Sequence, residues 1–297
     1  MRLLECVPNV SEGRDADVVR RIVRAVKESP GVELLDWSAD GDHNRAVLTY
    51  VGEPEAVLGA TQALCREAFA AIDMRTHEGA HPRLGAVDVI PLVPLRGVTG
   101  EEAVALARRL GEWIGEQGVP IYYYQEAATR PERESLPDVR RGEYEGLAAR
   151  IVTPEGAPDA GPAVFNARSG ASIVGVRPPL IAFNVNLATD DLAVAKRIAQ
   201  AVRFSGGGFR YVRAMGVALE DKGQVQVSMD IGQFEKTPIH RVLETVRSEA
   251  ARYGVAVTGC ELIGLAPMAA FEETIRYYLQ LHDFSAKQII ESRLLEE

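Results

Sequence analysis

The sequence predicts an α+β fold built as two similar lobes, on three observations. The chain has 297 residues, 46% hydrophobic and 25% charged, which is enough apolar material for more than one core. Segments with helical and strand periodicity follow one another in the same order twice. A long polar stretch rich in Glu, Arg, Gly and Pro divides the two runs.

In the first run, Leu3–Val10 reads as a short apolar strand. Val18, Val19, Ile22, Val23 and Val26 then fall on one helix face. Strands follow at Val32–Asp36 and Ala46–Val51. The next helix opens with Pro54 in its first turn, where a missing N–H costs nothing, and carries Val57, Leu58, Thr61, Leu64, Cys65, Ala68 and Phe69 on one side. Ala86–Val93 is the last strand, and Thr99 with Glu102 has capping-box spacing for a further helix.

The second run begins after Arg177-Pro178-Pro179. Strand Leu180–Asn186 leads to a helix bearing Leu192, Ala195, Ile198, Ala199 and Val202. Strands Tyr211–Leu219 and Gln224–Asp230 flank the turn sequence Asp221-Lys222-Gly223. Thr237-Pro238 reads as the cap and first residue of a helix carrying Ile239, Val242, Leu243 and Val246, and Gly254 ends it. Strand Val255–Ile263 closes the unit. Both runs are β-α-β-β-α-β with a helix after the last strand, the ferredoxin-like arrangement. The expected domains are residues 1–178 and 179–297, with a ligand groove between two packed copies.

The dividing stretch, Gln125–Pro162, includes Arg130-Pro131-Glu132-Arg133-Glu134 and reads either as a solvated linker or as a cleft-lining loop. The formal net charge is −9 and the basic residues are dispersed, which argues against nucleic-acid or anionic-membrane binding. No apolar run approaches the roughly 18 residues of a membrane span, and the N-terminus lacks a signal-peptide core. Cys6, Cys65 and Cys260 are odd in number and far apart, as in reduced cytosolic proteins, so the expected location is the cytoplasm.

Chemistry concentrates at His77-Glu78-Gly79-Ala80-His81-Pro82-Arg83 and at His43-Asn44-Arg45. Three of the five histidines lie in these two polar segments, with arginines beside them. Imidazole exchanges protons near neutral pH, and a neighbouring guanidinium binds carboxylates, so the cluster reads as a proton-transfer site with anion anchors. His81 is the expected general base. The His-Glu-x-x-His pattern also matches a zinc peptidase motif, which requires a helix to bring both imidazoles to one face. Gly79 weakens such a helix, and Pro82 disfavours helical backbone at His81. A metal-free loop is therefore the reading adopted, with a zinc hydrolase as the competing one.

Weaker signals remain open. Ser205-Gly206-Gly207-Gly208 precedes a strand rather than a helix and reads as a connection, not a phosphate cradle. Asn9 and the pair Asn184 and Asn186 occupy matched strand ends, where they serve either as ligand contacts or as turn and cap residues. Tyr122-Tyr123-Tyr124 reads as partly buried strand rather than a stacking platform.

Taken jointly, the motifs resemble the glutamate formiminotransferases, including the transferase part of the bifunctional formiminotransferase-cyclodeaminases. The likeness runs through Glu5-Cys6-Val7-Pro8-Asn9-Val10-Ser11-Glu12-Gly13, Ile72-Asp73-Met74, His77, Gly79, His81-Pro82-Arg83 and Gly85-Ala86. It continues through Asp88-Val89, Pro91, Arg96-Gly97-Val98-Thr99, Gly142-Glu143-Tyr144-Glu145, Gly161-Pro162, Ala182-Phe183-Asn184 and Gln226-Val227-Ser228.

The resemblance implies transfer of a formimino group from N-formimino-L-glutamate to N5 of tetrahydrofolate, in histidine breakdown. It also implies a homodimer, a folate tunnel between lobes, tetrahydrofolate as co-substrate and no metal. The family's catalytic histidine falls on His81, and its folate-contacting segment on Gly161–Gly170, where Gly161, Pro162, Phe165 and Gly170 match. An aspartate assisting the histidine in the animal enzymes falls at Ser38, with Asp36, Asp40 and Asp42 nearby as substitutes. No cyclodeaminase counterpart is expected in these residues, so a separate enzyme would complete the pathway. Arg45 and Arg83 are expected to pair with substrate carboxylates, with Asn9, His43, Asn44, His77, Asn184 and Asn186 lining the substrate site. Alternatives of the same kind are a glutamate formyltransferase or a 5-formyltetrahydrofolate-handling enzyme. A non-catalytic folate-binding protein is an alternative of another class.

Overall fold

In the computed structural model the described residues are 2–219 and 222–294, and the chain divides at Arg177–Pro178 into two compact units. The class is α+β. No helix among the described residues is long and apolar enough to cross a membrane.

The first unit opens with β1 (Leu3–Cys6) and β2 (Asn9–Val10), so the expected single strand Leu3–Val10 is interrupted. Pro8 has no N–H to give the ladder, and Val7 instead donates sideways to Pro91 O. Helix α1 (Ala16–Lys27) starts where the Asp15 carboxylate accepts from the N–H groups of Asp17 and Val18. Strand β3 (Val32–Asp40) and β4 (Arg45–Gly52) form a hairpin, and α2 (Pro54–Ala71) begins at Pro54. Strand β5 (Val87–Arg96) leads into α3 (Gly100–Glu116), whose Thr99–Glu102 capping box is formed in both directions. These pieces make a sheet in which β5, the β1–β2 pair, β4 and β3 lie side by side, all antiparallel. Helices α1 to α3 pack one face of it over Leu4, Ile22, Leu48, Tyr50, Leu64, Ile90 and Leu110.

The same sheet is then extended in a way the periodicity does not announce. Strand β6 (Ile121–Gln125) holds the three tyrosines fully buried. Between β6 and the next strand, the stretch expected to be linker or loop folds into α4 (Leu136–Val139) and α5 (Glu143–Arg150). It buries Val139, Leu147 and Ile151 against Tyr122, Tyr124, Val89 and Ile173 on the sheet face opposite α1 to α3. Strand β7 (Ser172–Val176) inserts between β5 and β6, parallel to both.

The second unit contains β8 (Ile181–Leu187), α6 (Leu192–Val202), β9 (Val212–Leu219), β10 (Gln224–Ile231), α7 (Ile239–Ala251), β11 (Val257–Ile263), α8 (Met268–Leu279) and α9 (Ile290–Leu294). Its sheet runs β11-β8-β10-β9, antiparallel throughout. Ile181, Phe183, Val185 and Leu187 face the core with Ile198, Val242 and Val246. Two boundaries shift from expectation. Thr237 does not cap α7: Pro238 takes the cap position with no side-chain cap bond, and β11 starts at Val257 rather than Val255. Asp221 of the expected hairpin turn lies outside the described residues. The Ser205–Gly208 connection contains a short 3-10 turn over Phe204–Gly206 after α6.

Candidate active site

Two irregular segments of the first unit meet. One is the turn between β3 and β4, residues 41–44; the other is the run from His77 to Arg83, which is not helical. The contact is made by the Asn44 side chain and one main-chain bond. Asn44 Nδ2 donates to Glu78 O at 2.9 Å, and Ala80 N donates to Asp42 O at 3.1 Å. Asn44 Oδ1 accepts from Gly13 N at 3.0 Å, which ties in the Ser11-Glu12-Gly13 turn. Asn44 sits in the left-handed region, φ 47°, a conformation that asparagine tolerates better than most residues. A methyl group at Gly79 would collide with the carbonyl oxygen of His43, so glycine is what permits this approach. Gly79→Ala is expected to destabilise the unit by about 1–3 kcal/mol, read as a lower urea midpoint with unchanged slope.

His77 is committed within this frame. Its Nε2 donates to Asn44 O at 3.0 Å, and its Nδ1 accepts from Arg83 Nε at 3.3 Å. Neither ring nitrogen is left over, which is the geometry of a structural histidine. Among the described residues no group of three or more His, Cys, Asp or Glu is arranged to hold a metal ion.

His81 is different. It is half-buried, and its Nδ1 donates to Pro82 O at 2.7 Å. That bond places the proton on Nδ1 and leaves the Nε2 lone pair to accept one, as a general base requires. Burial, and then the positive charge of Arg45, push its pKa down to about 4, with Arg140 acting the same way against the smaller opposing pull of Pro82 O and Asp88. The ring is therefore neutral at pH 7, with its Nε2 lone pair available. Its neighbour is His43, with ring centroids 6.2 Å apart in an edge-to-face arrangement. The His43 Nδ1 and backbone N both donate to Asp40 Oδ1, at 2.9 and 2.8 Å. Of the four positions 36, 38, 40 and 42 suggested for an assisting side chain, Asp40 is the one that meets a histidine, and that histidine is His43.

The arginines are held by the protein's own carboxylates. Arg45 is almost buried and donates through Nη1 to Asp88 Oδ2 at 2.8 Å and through Nε to Asn9 Oδ1 at 3.0 Å. Arg140, from the segment between α4 and α5, reaches the same Asp88 oxygen at 2.5 Å, and Leu84 N donates to the other oxygen at 2.8 Å. Burial pushes the Asp88 carboxyl up, but Arg140 and Arg45 outweigh it and hold the group below its ordinary value. Arg83 donates to Glu145 at 2.6 and 2.9 Å and to Glu143 at 3.3 Å. Beside it is a cavity of about 480 Å³ lined by Glu78, Gly79, Arg83, Gly142, Glu143 and Glu145. A larger one, about 560 Å³, is lined by Tyr122, Arg133, Val139 and Arg150, and neither lining includes a histidine.

The Gly161–Gly170 segment returns to the same end of the sheet, where Gly170 bridges Gly85 and Phe165 packs on Tyr144 with centroids 5.4 Å apart. Pro162 precedes this contact in the same segment. In the second unit, Asn184 Oδ1 accepts from Met229 N, and Asn186 joins Gln226 and Glu261 in a side-chain network on β8, β10 and β11. In the sequence, Asp88 stands out only through the family likeness. The local signal that could find it is an acid within the otherwise apolar strand 87–92, while Arg140 carries no signal at all.

Comparison with known proteins adds an independent line. A model of the formiminotransferase domain, N-terminal subdomain, matches residues 3–177, and a formiminotransferase domain model matches residues 182–294. The glutamate formimidoyltransferase of Streptococcus pyogenes serotype M1 is 46% identical over 296 residues, 99% of each chain. That of Thermoplasma acidophilum is 45% identical over 297 residues, covering 99% of this chain and 98% of the relative. The formimidoyltransferase-cyclodeaminase of Rattus norvegicus is 42% identical over 284 residues, 93% of this chain and 52% of the longer relative.

Proposed function

The chain belongs to the formiminotransferase domain family, and from that premise we propose that it is a glutamate formimidoyltransferase, moving the formimino group of N-formimino-L-glutamate to N5 of tetrahydrofolate. The observation that carries the chemistry is His81, with its proton parked on Nδ1 and a free Nε2. The attacking N5 amine must lose a proton as it adds to the amidine carbon, and His81 takes it. General acid–base catalysis of this kind contributes typically about 10²–10⁴-fold. Arg45 and Arg140 remain bound to Asp88 and serve as fixed positive charge beside the base, rather than as free anchors. We assign residues 1–178 and 179–297 as the two subdomains. The strand orders, β5-(β1/β2)-β4-β3 in the first and β11-β8-β10-β9 in the second, support a ferredoxin-like duplication. The unpaired cysteines support a reducing compartment, and the family likeness supports a homodimer.

The test is direct. Purified protein supplied with tetrahydrofolate and either formiminoglutamate or formylglutamate is expected to form 5-formimino-tetrahydrofolate and to prefer the formimino donor. Absence of turnover with both donors would remove the assignment.

A further inference from the structure

Only one of the two proton transfers has an owner so far. The attacking amine gives up a proton, and the departing glutamate amine must receive one. While His81 holds the proton taken from N5, the departing amine needs a second donor. A second imidazole stands beside the first, 6.2 Å away between centroids. Its Nδ1 is fixed by the Asp40 carboxylate, which leaves Nε2 on the far side of the ring without a partner among the hydrogen bonds of the site. The two surroundings are opposite in sign: guanidinium groups beside His81, a carboxylate on His43. Two imidazoles in one site can divide the duties of base and acid between them.

The separation also fits. An attacking and a departing nitrogen on one carbon, each reached by its own ring over about 2.6–3.2 Å, require two imidazoles spaced with roughly one small group between them. The spacing is held by the Asn44 side chain, which ties the His43 turn to Glu78 O, and by the main-chain bond from Ala80 N to Asp42 O.

We propose that His43 is a second catalytic residue, the acid that protonates the departing glutamate amine, with Asp40 as its positioning residue. The assignment rests on the transferase reading above. As the N5–C bond forms, the C=N pair of the protonated amidine moves onto its terminal nitrogen, and the N5 proton passes to His81 Nε2. The C–N bond to glutamate then breaks with its electron pair kept by the glutamate nitrogen, which takes the Nε2 proton of the His43 imidazolium. The terminal nitrogen's pair restores the C=N bond. One proton has arrived on His81 and one has left His43, so a single proton passed between them through solvent resets the site.

The experiment compares the unsubstituted protein, His43→Gln and Asp40→Asn in steady-state turnover of formiminoglutamate with tetrahydrofolate, alongside thermal unfolding. His43→Gln is expected to lower kcat about 10²-fold with both KM values within about 2-fold. Asp40→Asn keeps a hydrogen-bonding group but not the charge, and is expected to lower kcat about 10-fold, again at constant KM. Both side chains are about half exposed, so Tm should be unchanged. A His43→Gln kcat within about 3-fold of the parent, or a loss confined to KM, overturns the inference while leaving the function in place. No turnover by the unsubstituted protein removes the function and the inference together.

Discussion

His81→Ala is expected to lower kcat about 10²–10⁴-fold while tetrahydrofolate still binds. Turnover is followed with saturating substrates and folate binding by fluorescence titration. A rate near that of the parent protein would take His81 out of the mechanism. The pH profile gives a second reading of the same group. His81 must be neutral to accept a proton, and its pKa is pushed down to about 4 by burial and then by Arg45. The acid limb of kcat/KM that reports this base should therefore fall near pH 4. From about pH 5 to pH 7, where an unperturbed histidine would already be losing activity, this group should contribute no decline.

The largest stability effect is expected at Asp88. Its carboxylate is completely buried and accepts from Arg45, Arg140 and Leu84 N. Asp88→Asn leaves two nearly buried guanidinium groups facing each other without compensation. Removing one partner from such a buried cluster costs about 3–5 kcal/mol, measurable as a fall in the urea midpoint of the first unit. A change below about 0.5 kcal/mol would show that the arginines find other partners. The pH dependence follows from the direction of the shift. Burial raises this carboxyl, Arg140 and Arg45 lower it more, and the folded group binds a proton less readily than the unfolded one. Its contribution to stability is fully present above the unfolded carboxylate pKa and is lost as pH falls through the lower, folded value.

Local physics explains what could be read from sequence. The Thr99–Glu102 box and the faces of α1, α2, α6 and α7 depend on residues within a turn or two of each other. The tyrosine run of β6 reads as strand, but β7 does not, because it is buried on both faces and so does not alternate, and its pairing with β6 spans about fifty residues. The α4–α5 stretch looked like solvent-exposed chain because its buried residues, Val139, Leu147 and Ile151, are widely spaced among arginines and glutamates. The same limits apply at the site. A histidine cluster announces itself in a row of letters, but the pairing of Arg140 with Asp88 across 52 positions does not. The pairing of Arg83 with Glu143 and Glu145, 60 and 62 residues away, is equally invisible in sequence.

The interlocked turn and loop divide responsibilities between backbone and side chains. Because the main-chain bond from Ala80 N to Asp42 O and the single side chain of Asn44, which bonds both Gly13 N and Glu78 O, carry the joint, the distance from one imidazole to the other depends on Asn44 and not on the side chains further out. Neighbouring positions are therefore free to vary the polarity and width of the approach without altering reach. Related chains can diverge in donor preference on an unchanged chassis, and an insertion of even one residue in the 41–44 turn would disturb catalysis more than most replacements of what lines the opening.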